Sequence, residues 1–76
     1  MDFKTILGER VKVLRQTRKI LQKDLAEEVG ITKQSLSVFE KGSSSPSLDT
    51  LVKIANYFNV SVDYLLGRTD NPEINN

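Results

Sequence analysis

QKDLAEEVGITKQSLSVFEK, residues 22–41, is the stretch from which the rest of the chain is read. Its apolar residues are Leu25, Val29, Ile31, Leu36 and Phe39, with the small Ala26 beside the first of them and Gly30 between two runs of helical spacing. The first run, residues 22–29, turns Leu25, Ala26 and Val29 to one side, and Gly30 stands where a helix end calls for positive φ. Thr32 caps a second run that extends to about Lys41. Ile31 before that cap and Leu36 after it form a hydrophobic staple, and Gly42 ends the helix. Ala26 is small where the two helices have to approach closely, so the five apolar residues can weld two near-perpendicular helices into one rigid unit.

The same patterning extends to both sides. Residues 3–18 read as a first helix, with Phe3, Leu7, Val11 and Leu14 recurring at three- and four-residue steps and Ile6 beside them. Beyond the "SSSP" loop, Ser47 caps a fourth helix whose inward residues are Leu48, Leu51, Ile54, Ala55 and Phe58. Ser61 caps a short fifth, stapled by Val60 and Leu65. After Gly67 the stretch RTDNPEINN has no apolar period and is expected to fray. The expected organisation is one domain over residues 1–67 and a flexible tail over 68–76. No segment alternates with period two long enough to make a strand. The expected fold is therefore all-α, a compact five-helix orthogonal bundle.

Composition narrows the function. A chain of 76 residues buries only about 60% of the surface its unfolded form exposes, so its apolar residues should serve a single core. It has no cysteine and no histidine, which removes thiolate zinc sites, disulfides and the commonest metal ligand and general base. Nor does it carry a glycine-rich phosphate cradle. An enzyme, a metal site or a cofactor is not expected. With a charged N-terminal stretch and no long apolar run, a cytoplasmic protein without a membrane partner is expected. The net charge is only +1, but Arg10, Lys12, Arg15, Arg18, Lys19 and Lys23 fall in residues 10–23, which contain no acid; Asp24, Glu27 and Glu28 follow at once. Such a stretch is ordinarily a solvated helix face and otherwise a phosphate-binding patch.

The third helix separates these two readings. With Leu36 at the centre of the buried face and about 100° of turn per residue, Thr32, Phe39 and Glu40 lie on the inner side. Gln34, Ser37, Val38 and Lys41 turn away, with Lys33 on the flank. An amide side chain can bond bidentately to adenine, a lysine can reach guanine acceptors and an apolar group can touch a thymine methyl, so these residue types suit base edges in a major groove. A helix that is merely solvated would more commonly carry Glu/Lys pairs and alanine.

Taken together, residues 22–41 form the helix-turn-helix pattern. The stretches RVKVLRQTRKI, QKDLAEEVGIT and SLSVFEKGSSSPSLDTLVKIANYFNVSVDYLLG, in that order, resemble the phage repressor/Cro-like (XRE-like) family of DNA-binding domains over about residues 8–67. The resemblance implies a lambda-repressor-like five-helix bundle whose third helix enters the major groove. By the same likeness Lys33, Gln34 and Ser37, joined by Val38, read bases, and Arg15 pairs with Glu40. Backbone contacts are expected from Gln22, Lys23, Arg15, Ser35, Lys41 and Ser43. One position departs from the pattern: Leu21 stands where the family carries a polar N-cap, which weakens that helix end by about 1 kcal/mol. The implied partner is double-stranded operator DNA with palindromic half-sites, bound by a homodimer whose contact is placed near Val62 and Tyr64. The alternative is a protein-interaction module, such as an antitoxin or adaptor subunit, that uses the same helix surface.

Overall fold

Residues 2–74 are described by a computed structural model of the chain, and they form five helices. Asp2 accepts a hydrogen bond from the Lys4 N–H at 2.9 Å and so starts α1, Phe3–Thr17. Then come α2, Gln22–Val29; α3, Lys33–Glu40; α4, Leu48–Phe58; and α5, Val62–Leu65. Thr32, Ser47 and Ser61 each accept a bond from the backbone N–H three residues on, satisfying an otherwise orphaned donor at the start of α3, α4 and α5. Leu21, ahead of α2, makes no side-chain cap.

The bundle expected from the sequence is thus the observed one. Leu7 and Val11 of α1, Leu25 of α2, Leu36 of α3, Ile54 and Phe58 of α4 and Leu65 of α5 are the large side chains closed off from solvent. They form one core, with Leu14, Ile20, Ile31 and Leu66 packed around it. Gly8 lets α1 lie against the end of α3: a Cβ there would clash with the Phe39 carbonyl oxygen and stand 2.9 Å from that of Glu40.

Three inward assignments are corrected, the first being Thr32, which caps α3 and is exposed. Phe3 is 54% exposed and Leu48 is 79% exposed. Each is the first residue of its helix, so its side chain overhangs the end of the core even though the helical period points inward. Thr50 is buried in the first turn of α4 instead, its hydroxyl bonded to that of Ser47 at 3.1 Å.

Past Gly67 the chain folds back on the bundle. Arg10 donates to the carbonyls of Tyr64 and Thr69 at 2.7 and 2.8 Å and to the Asp70 carboxylate at 2.8 Å, and the Ser61 N–H donates to the Pro72 carbonyl at 2.9 Å. The final two residues of the expected tail, Asn75 and Asn76, lie outside the described residues.

Candidate nucleic-acid interface

The turn between α2 and α3 is fixed by backbone geometry. Gly30 adopts φ 78°, and the Ile31 N–H closes the end of α2 by donating to the Ala26 carbonyl at 2.9 Å. This is the left-handed closure that glycine makes without steric cost. Thr32 then starts α3 in a new direction, its Oγ1 accepting from the Ser35 N–H at 3.0 Å. Leu36, Phe39 and Glu40 face inward.

Lys33, Gln34, Ser35, Val38 and Lys41 are exposed, and Ser37 is half-buried. They make a ridge between two hollows. On one flank Gln34 and Val38, one turn apart, border an open groove of about 560 Å³ against Ile31, Phe39 and the Ser44–Ser47 loop. On the other flank Ser37 and Lys41, again one turn apart, border a cleft shared with α1 and the start of α2. Ser43 and Lys23 are exposed next to this ridge in sequence and on α2, respectively. The hydroxyl of Ser35 is tied to that of Thr32 at 3.0 Å.

Behind the ridge lies a buried ionic network. Arg15 donates from Nε to Glu40 Oε2 at 2.8 Å and from Nη2 to Oε1 at 3.0 Å, a bidentate pair, and from Nη1 to the Ile20 carbonyl at 2.9 Å. The two side chains are only 12% and 3% exposed. Gln22 Nε2 also donates to Glu40 Oε1, at 3.0 Å. Of the two roles expected for Arg15, the geometry shows the structural pair, and the same side chain lines the cleft beside α3.

Three arginines of the basic stretch are used in this way. Arg10 lies 4.3 Å over the Tyr64 ring as well as holding the chain beyond α5, and Arg18 donates to the Phe58 carbonyl at 2.9 Å and lies 5.2 Å from that ring's centre. Lys12, Lys19 and Lys23 are exposed and, among the described residues, make no ion pair. Charge counting along the sequence missed this division; a guanidinium's several donors suit it to carbonyls and carboxylates inside a fold, whereas an ammonium is more strongly hydrated. Val62 and Tyr64, the expected dimer contacts, are both half-buried against the core of their own chain.

No helix among the described residues is long and apolar enough to cross a membrane. A helix-turn-helix family model matches residues 11–65. YobD, an uncharacterized HTH-type transcriptional regulator of Bacillus subtilis, is 45% identical over 65 residues, covering 86% of this chain and 58% of its own length. ImmR, an HTH-type transcriptional regulator of the same organism, is 44% identical, covering 84% of this chain and 50% of its own length. The chain therefore spans little more than half of these relatives. Among solved structures, the P22 c2 repressor in complex with a synthetic operator aligns at a TM-score of 0.75 and 30% identity, covering 79% of this chain and 91% of that one.

Proposed function

Because the chain belongs to the helix-turn-helix family that includes phage repressors, we propose that it is a sequence-specific double-stranded DNA-binding transcriptional regulator that acts as a repressor. The observation that carries this reading is the ridge of α3. Lys33, Gln34, Ser37 and Val38 project from a helix whose other side is locked into the core, so the ridge is stiff enough to present them in a fixed register. In the proposed complex α3 lies in the major groove and these four residues discriminate base edges. Gln22, Lys23, Ser35, Lys41 and Ser43 hold the sugar-phosphate backbone and set the docking angle.

One such helix reads only a few base pairs, so the proposed active species is a homodimer on palindromic half-sites about 34 Å apart. Its proposed contact lies near Val62 and Tyr64 at the start of α5, where Val62 borders a hollow shared with Val52 and Ile74. The protein would work in the cytoplasm and need no cofactor.

Selection of bound duplexes from a random pool tests the proposal: an enriched, two-fold symmetric sequence is expected. A salt titration on random duplex adds a check against a protein partner, because phosphate contacts give a steep fall of log affinity with log salt. Failure to enrich any sequence, together with a flat salt response, would overturn the reading.

A further inference from the structure

The cleft beside α3 holds a lysine that the expected contacts do not use. Three helices meet there: α1 supplies Glu9, Lys12 and Arg15, α2 supplies Gln22, and α3 supplies Ser37 and Glu40, with Lys41 just past its end. Glu40, at the cleft floor, is neutralised by Arg15 and has one oxygen bonded to Gln22. Its charge is therefore spent within the fold, and it fixes the Gln22 amide with one N–H engaged and one to spare. The remaining charges are Lys12 and Lys41, which among the described residues make no ion pair, and Glu9. Three cations against two carboxylates leave the cleft net positive.

Resting on the DNA-binding reading above, we infer that Lys12 is a further backbone-binding residue: with Lys41, Ser37 and Gln22 it forms a cleft that takes one phosphate group of the duplex. Ser37 belongs to both the ridge and the cleft, so the cleft opens toward the side of α3 that faces DNA. The spare N–H of Gln22 and the Ser37 hydroxyl are neutral donors, and the two ammonium groups supply the charge. Glu40 is a positioning residue, since it holds Gln22 in the orientation that leaves a donor for the phosphate. Glu9 lies one turn from Lys12 on α1, and its carboxylate repels an anion and so weakens the hold of the cleft on the phosphate.

The test measures affinity for the selected operator and for a random duplex over a series of salt concentrations, with wild type, Lys12→Gln, Lys12→Arg, Glu9→Gln and Lys53→Gln. Lys53 is also an exposed lysine, on α4 and outside the cleft, so its variant controls for net charge. Loss of one phosphate contact should reduce the salt slope by about 0.9, which is about fivefold in affinity at 0.15 M salt. Lys12→Gln should show that loss equally on both duplexes, Lys12→Arg should restore it, and Glu9→Gln should tighten both by about twofold. If wild type binds DNA with a steep slope but Lys12→Gln behaves like Lys53→Gln, this inference fails and the regulator reading stands. If wild type binds no duplex, both fall.

Discussion

Glu40 accepts two hydrogen bonds from the Arg15 guanidinium while only 3% of its side chain reaches solvent, so the last turn of α3 is riveted to α1 through charge instead of through apolar contact. A buried pair of this kind offers little net stability over a well-packed apolar pair, but removing one member strands the other. Glu40→Ala is therefore expected to cost about 3–5 kcal/mol. The double variant Arg15→Met/Glu40→Met should be less destabilised than Glu40→Ala alone. Urea unfolding of both variants checks this, and a double variant that unfolds earlier than the single would contradict it.

Gly8 and Gly30 answer to different constraints, and their alanine variants should separate them. Gly30 has φ 78° with nothing near its missing side chain, so Gly30→Ala pays only for the left-handed backbone, about 1 kcal/mol. Gly8 has an ordinary helical backbone, but a methyl group there meets the Phe39 and Glu40 carbonyls, which are backbone and cannot swing away. Gly8→Ala should push α1 off α3 and cost about 1–3 kcal/mol or more, as overpacking does. Thermal midpoints measured side by side should rank Gly8→Ala as the less stable.

Much of this arrangement was legible in the sequence because it depends on local signals. Thr32, Ser47 and Ser61 are caps whose partners lie three residues away, and Gly30 is a turn whose geometry is its own. What the sequence withheld is long-range. Phe3 and Leu48 fit the helical period, yet both overhang the core, and periodicity describes the face of a helix without saying where the neighbouring helices stop. The family likeness implies that Arg15 meets Glu40, but Arg10 and Arg18 look like one charged surface with Lys12 and Lys19, whereas their acceptors lie at the end of α4 and on and beyond α5. Lys12 enters the cleft only because α1 crosses the end of α3, a relation that spacing along one helix does not contain.

Leu21 leaves the start of α2 without a side-chain acceptor and is itself 64% exposed. Little packing is lost if it is replaced, while a serine there can accept from an orphaned N–H of the first turn. Leu21→Ser is expected to stabilise the protein by about 0.5–1 kcal/mol. The urea midpoint should rise with no change in the slope of the transition. A fall in the midpoint would mean that Leu21 makes a contact outweighing the cap.

Gln34 distinguishes reading from holding. It stands on the exposed ridge of α3 next to Val38, on the flank away from the charged cleft, so its removal leaves the side chains of that cleft untouched. If its amide bonds a base edge, Gln34→Ala should weaken binding to the selected operator by about 1–3 kcal/mol and relax the preference at one base-pair position. Binding to random duplex and its salt slope should stay as in wild type, because no charge has been removed. Lys41→Gln should do the reverse, lowering affinity on both duplexes alike and flattening the slope. Equal losses on operator and random DNA for Gln34→Ala would assign that side chain to the backbone and leave base discrimination to Lys33, Ser37 and Val38.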